Sequence, residues 1–96
     1  MSYVFEIEDK TKRRIYLTHE IYKHILRHLN QYDLEEIKII LKNPLLILGY
    51  SFDSNVRHYY KYYKNRKSKA KYLRVVVKYL NGKGFIITAH YLDKIK

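Results

Sequence analysis

The sequence predicts an α+β fold: an N-terminal short strand or hairpin, two α-helices, then a four-stranded antiparallel β-meander with the helices packed on one face. Three observations carry this. Helix-period apolar spacing is confined to the stretch between Thr18 and Asn43. Runs of β-branched and aromatic residues begin at Leu45. The links between those later runs are short and rich in turn residues.

Residues Tyr3 to Ile7 alternate loosely, Asp9-Lys10-Thr11-Lys12 is a polar turn, and Arg14 to Leu17 resumes the apolar pattern. They read as a short hairpin, or as one strand and a lead-in. Thr18 is placed to cap a helix, with Glu20 in the first turn, where the helix end favours negative charge. Ile21, Ile25 and Leu29 recur at four-residue spacing, with Tyr22 and Leu26 beside them, which predicts an amphipathic helix. Asn30-Gln31-Tyr32 interrupts it. Asp33 followed by Glu36 reads as a capping box with Asp in place of Ser or Thr. Leu34, Ile37, Ile40 and Leu41 form the apolar face of a second helix. That helix is expected to end near Asn43, because a residue preceding proline is driven out of the helical region.

Strands follow at Leu45 to Tyr50, Val56 to Tyr63, Tyr72 to Leu80 and Phe85 to Tyr91. Asp53-Ser54-Asn55 is a turn, Asn65 to Lys69 a basic loop, and Asn81-Gly82-Lys83-Gly84 a tight hairpin turn.

Length and composition bound the function. The 96 residues are expected to form one domain, residues 1–96, with a single modest core. Hydrophobic residues make up 47%, so the chain is not disordered by composition. The absence of cysteine excludes disulfides and thiolate metal sites. MSYVFEIEDK has no apolar run behind a basic segment, so no signal peptide is expected, and the longest apolar run, Pro44 to Gly49, is too short to span a bilayer. A cytoplasmic location is the resulting expectation.

Charge is the strongest global signal: 20 Lys and Arg against 9 Asp and Glu give +11 at pH 7. Such a field attracts phosphate polyanions and releases their counterions. It also serves solubility, so charge alone names no partner. No basic amphipathic helix carries Trp or Phe for insertion, and no membrane partner is expected. The stretch from Arg57 to Lys78 is studded with Lys and Arg and contains no acid. Tyr59, Tyr60, Tyr62, Tyr63, Tyr72 and Tyr79 lie within it or at its end. Such rings can stack on unpaired bases while lysines hold the backbone, or can simply pack a sheet.

Strand parity sorts the last two strands into faces. Leu73, Val75, Val77 and Tyr79 face one way, as the helix-covered core, and Arg74, Val76 and Lys78 the other. In the closing strand Phe85, Ile87 and Ala89 alternate against Ile86, Thr88 and His90. Pairing through the Asn81-Gly82 turn places Thr88 and His90 with Arg74 and Lys78. Cations stabilise a pentavalent phosphorane, and an imidazole moves a proton at neutral pH. An open sheet face is also simply polar where it meets water.

His24 and His28 are four residues apart on the first predicted helix, at the border of its apolar face, with Arg27 between them. Packing histidines, a metal pair and acid–base catalysis compete as explanations. Metal is the weakest, since His24-Ile25-Leu26-Arg27-His28 has no Glu after the first His and no third ligand is evident. His19 and His58 are assigned no role. No GxGxxG, GxxxxGK[ST] or GxSxG motif occurs.

The order of several short motifs is distinctive: Tyr22, His24-Ile25, Arg27-His28, Asn43-Pro44, Tyr59-Tyr60, Tyr72-Leu73-Arg74-Val75-Val76-Val77 and Ile86-Ile87-Thr88-Ala89. In this order the chain resembles the small nuclease-like domains of the barnase–EndoU–colicin–RelE superfamily, in particular those associated with phages and mobile elements. The match runs roughly from Ile15 to Lys94. The family has Pro-Glu after its second His where this chain has Leu29-Asn30, and a Tyr where this chain has His90, with Tyr91 one place on. Either His90 or Tyr91 takes that tyrosine's place. The resemblance implies helices followed by a meander, and RNA cleavage without metal or other cofactor, often by a toxin or effector.

The expected function is therefore an endoribonuclease in which the 2′-hydroxyl attacks the adjacent phosphate. His24 is the expected base and His28 or His90 the acid. Arg74, Arg27 and Lys78 hold the phosphate and Thr88 donates a hydrogen bond. Tyr60 and Tyr62 present stacking rings, with Lys64 and Tyr91 as further nucleic-acid contacts. The alternative is a nucleic-acid-binding protein without catalysis, or a small viral or mobile-element regulator or inhibitor of a host nucleic-acid machine. RNA is the expected partner. An acidic protein such as an antitoxin and a homodimer remain open.

Overall fold

The computed structural model describes residues 2–27, 29–30, 32–50 and 52–95. The elements run β1 (Phe5–Glu8), β2 (Arg14–Leu17), α1 (His19–Ile25), α2 (Asp33–Lys42), β3 (Leu46–Tyr50), β4 (Asp53–Tyr62), β5 (Tyr72–Leu80) and β6 (Lys83–Leu92). The α+β class and the two helices are as expected. The sheet is larger than the predicted four-stranded antiparallel meander: it has six strands in the order β1-β2-β6-β5-β4-β3, and β2 pairs with β6 in parallel.

The N-terminal hairpin joins the sheet because Ile15 and Leu17 must bury their side chains, and both are fully inaccessible to solvent. Gly84 makes the junction. Ile15 lies opposite it, and a Cβ at Gly84 would meet Ile15, with Val77 Cγ1 at 2.9 Å and Tyr79 Cε1 at 3.0 Å. Only a residue without a side chain lets β2 approach β6 this closely.

The hairpin turn between β5 and β6 sets the register of these two strands. Asn81 and Gly82 both adopt positive φ, 54° and 80°, the conformation of a turn whose twist matches that of the strands. Leu80 consequently faces Lys83, and the pairing runs on to Tyr72 and Leu92. One irregularity between Val76 and Val77 pairs them with Thr88 and Ile86, leaving Ile87 as the extra residue. Ile86, expected on the face of Thr88 and His90, is therefore buried in the core, and Phe85 takes the other side. The expected turn at Asp53-Ser54-Asn55 is already strand, with Tyr50 opposite Asp53.

Both helices cover one face. Ile25, Leu29, Ile37, Ile40 and Leu41 pack against Leu73, Val75, Val77, Tyr79, Ile86 and Ala89. Thr18 caps α1, its hydroxyl accepting from the Ile21 amide at 3.2 Å. The helix is shorter than its apolar period implies, ending at Ile25. Leu29 is nonetheless buried, because the chain keeps turning, with the Arg27 amide on the His24 carbonyl and the Leu29 amide on that of Ile25. The predicted Asp33–Glu36 capping box is displaced by three residues. Asn30 Oδ1 accepts from the Tyr32 and Asp33 amides, and Asp33 Oδ2 accepts from the Asn30 amide at 3.0 Å. Glu36 is released for another partner.

The β1–β2 turn is held by Asp9, the one buried acid among the described residues. Its carboxylate accepts from the amides of Thr11 and Arg13, the Thr11 hydroxyl and the phenols of Tyr59 and Tyr79. Burial pushes its pKa up, but these hydrogen bonds outweigh burial and hold it below the usual carboxylate value.

Candidate functional site

The face of the sheet away from the helices carries the side chains that alternate with the core. Arg74 and His90 are direct cross-strand partners on β5 and β6, and Arg74 Nη2 contacts His90 Nε2. A guanidinium only donates, so His90 Nε2 accepts and is unprotonated there. On the other side Arg74 pairs with Tyr60 of β4, and His58 lies diagonally across from it, opposite Val76. Thr88, also opposite Val76, shares this face and is half-buried. Arg74 Nε is buried and, among the described residues, has no hydrogen-bond partner.

His58 was not singled out by the sequence, because a long loop joins β4 to β5 and hides their register. Strand alternation with Tyr60 and Tyr62 is the signal that places it here. Burial, and secondly the charge of Arg74, lower its pKa below the ordinary imidazole value of 6.5, so it is neutral at physiological pH. The Tyr50 ring stacks on it at 5.5 Å, and the Tyr60 hydroxyl stands 3.5 Å from Nδ1.

Arg74, Thr88 and His90 are thus brought together, with His58 added. Lys78 occupies the same face but lies four residues along β5, about 13 Å away by strand geometry, and pairs with Asp53 at 3.3 Å. Tyr60, expected to present a stacking ring, is fully buried between its neighbours. Tyr62 does present one: it is 46% exposed, with its ring 5.0 Å from that of Tyr72. Lys64 is exposed in the loop after β4. Tyr91 faces the helices, where its hydroxyl donates to Asp33 at 2.9 Å and the Arg66 guanidinium lies 3.4 Å over its ring. Burial and the Asp33 carboxylate push its pKa up to about 12.

His24, expected at the border of the apolar face of its helix, is exposed, and so is Arg27. His24 belongs to α1, which packs on the covered side of β6, so the sheet stands between it and the Arg74 side chain. His28 lies outside the described residues. The expected stripe of His24 and His28 on one helix therefore falls partly outside the described residues, and α1 ends at Ile25. Among the described residues no three His, Cys, Asp or Glu side chains cluster as metal ligands, and no helix is long and apolar enough to cross a membrane.

What the open face can do follows from its inventory. A guanidinium can hold a phosphate through two donors. Two unprotonated imidazoles flank it, and a hydroxyl donor and an exposed phenol lie beside them. Compared with known proteins, the chain matches no family model, no curated protein and no solved structure.

Proposed function

We propose that this protein is an RNA-binding endoribonuclease of the barnase–EndoU–colicin–RelE type, acting on the helix-free face of its sheet. The observation that carries the reading is the Arg74–His90 contact with His58 on the opposite flank. A cation between two neutral imidazoles suits a phosphodiester and in-line proton transfer. The +11 charge and the exposed Tyr62 ring support RNA as the polyanion.

In this mechanism the scissile phosphate enters over Arg74 and draws the guanidinium from His90. Nη2 and the buried Nε then both have an anionic acceptor. His90, relieved of the cation and beside an anion, gains a proton. His58 takes the proton of the 2′-hydroxyl as O2′ bonds to phosphorus. The P–O5′ bond breaks, and His90 gives its proton to O5′. The products are a 2′,3′-cyclic phosphate and a 5′-hydroxyl. Arg74 and the Thr88 hydroxyl stabilise the phosphorane oxygens. His24, the base expected from the sequence, takes no part in this mechanism, because it lies on the other layer.

The test is cleavage of a fluorogenic RNA in EDTA, with products identified by mass spectrometry. Cleavage yielding a cyclic phosphate, blocked by a 2′-deoxy substitution at the cut, is the expected result. An RNase-free preparation that binds RNA but leaves structured and unstructured substrates intact would make the protein a binder without catalysis.

A further inference from the structure

At the edge of the sheet, on its helix-covered side, an open groove of about 610 Å³ runs between α2 and the loop after β4. Glu36, Ile39, Lys61, Tyr63, Lys64 and Arg66 line it, and Tyr62 stands at its mouth. Its size is that of a small-molecule site. Its charge is that of an anion site, with three cations and one carboxylate.

Two stacks fix its walls. In the first, the Tyr63 hydroxyl donates to Glu36 Oε2 at 2.5 Å while Lys61 Nζ lies 5.5 Å over the Tyr63 ring. Burial, and then Glu36, push the Tyr63 pKa far up, so the phenol stays a donor. In the second, Asp33 holds Tyr91, and the Arg66 guanidinium lies over the Tyr91 ring with Nε on the Ala70 carbonyl at 3.0 Å. Lys61 and Arg66 are therefore set in place before a ligand arrives, which lowers the ordering cost of binding. The floor is apolar, with Ile39 40% exposed in it.

Tyr62 links the groove to the face around Arg74, since it stands at the groove's mouth and alternates onto the side of Tyr60 and Arg74, while Lys61 and Tyr63 turn toward the helices. Tyr62 is two residues beyond Tyr60, the cross-strand partner of Arg74, and pairs with Tyr72, two residues before Arg74. Two residues of strand are about 7 Å. A strand of RNA held at Arg74 and continuing past the Tyr62 ring reaches Lys61, Lys64 and Arg66 by turning round the end of β4, which β3 leaves uncovered beyond Tyr60.

We infer that this groove is a second subsite for single-stranded RNA. It holds a nucleotide flanking the cut, with its base on the Tyr62 ring and the Ile39 floor and its phosphate on Lys61 and Lys64. The inference rests on the RNA reading of the sheet face but not on catalysis there.

The experiment measures binding of two uncleavable, 2′-O-methyl RNAs, a trimer and a nonamer, by fluorescence anisotropy across a salt series. Three proteins are compared: the parent, a groove double variant Lys61→Gln/Lys64→Gln, and a control double variant Lys10→Gln/Lys12→Gln of equal charge, here called remote. Lys10 and Lys12 are exposed in the β1–β2 turn and do not line the groove. The expected result is that the groove variant loses about 10-fold or more on the nonamer. Its slope of log affinity against log salt should become shallower by about 1.4, the value for two phosphates on a single strand. The remote variant should lose at most about 3-fold, and Tyr62→Ala should weaken nonamer binding by roughly 5- to 100-fold through lost stacking. Equal losses in the two double variants, or an unchanged slope in the groove variant, overturn the subsite while the Arg74 reading stands. A groove-dependent slope with no cleavage of natural RNA leaves the subsite and removes the ribonuclease. RNA that does not bind the parent at all removes both.

Discussion

On the helix-covered side of the sheet, tyrosines end on acids: Tyr59 and Tyr79 on Asp9, Tyr63 on Glu36 and Tyr91 on Asp33. On the helix-free side, Arg74 instead contacts His90, and His58 sits beneath Tyr50. The difference is one of partners, with carboxylates holding phenols on one side and a guanidinium set among imidazoles on the other. Three of the nine acids are used as acceptors for phenols that would otherwise be buried without partners. Stability thus rests on acid–tyrosine bonds on one side, and the chemistry on a cation and two imidazoles on the other. Mutations should separate the two.

The largest effect is expected on the open side. His58→Ala or His90→Ala should each lower the cleavage rate by about 10²–10⁴-fold, the scale of general acid–base catalysis, with RNA affinity kept within a few-fold. Arg74→Ala should lower both affinity and rate, since a cation on the phosphate acts in both states. Single-turnover kinetics alongside anisotropy separates these outcomes. The rate of the parent should fall as pH drops below 6.5, where His58, its pKa lowered by burial and Arg74, takes up its proton.

On the covered side, Asp9→Ala should cost about 2–4 kcal/mol in urea denaturation, because two phenols and two turn amides lose their acceptor. Its pH signature has a definite sign. The folded carboxyl has the lower pKa, so its stabilisation is present above the unfolded value of 3.8 and is lost as pH falls through the folded one. The urea midpoint of the parent should therefore drop below about pH 4 more steeply than that of Asp9→Asn. Gly84→Ala should destabilise by about 1–3 kcal/mol, since the new methyl meets Ile15, Val77 and Tyr79. Tyr91→Phe, losing one hydrogen bond to Asp33 while keeping the ring under Arg66, should cost only about 0.5–1.5 kcal/mol by the same measurement.

The sequence made the local structure legible wherever one short rule governs it. Asn81-Gly82 announces a tight hairpin, Thr18 a helix start, and strand alternation puts Arg74, Thr88 and His90 on one face. What it hides is non-local. Nothing in Arg14-Ile15-Tyr16-Leu17 says that the strand will pair in parallel with β6, because that pairing depends on a glycine some seventy residues away. The helical period through Leu29 is real as burial but not as helix, since the chain leaves α geometry after Ile25 and still turns the next apolar side chain inward. His58 is invisible until the β4–β5 register is known. Asp9 reads as an ordinary turn residue until Tyr59 and Tyr79 arrive from distant strands. His24 stands out in sequence, but the topology puts the sheet between it and Arg74.

The most direct test of where the chemistry resides is a paired comparison of cleavage rates under single-turnover conditions. His58→Ala and His90→Ala are measured against His24→Ala, each variant checked by circular dichroism. If the open face is the site, the two sheet variants lose at least about 100-fold while His24→Ala stays within about 3-fold of the parent. A large loss in His24→Ala, with parental rates in both sheet variants, would contradict it and move the reaction to the helical layer.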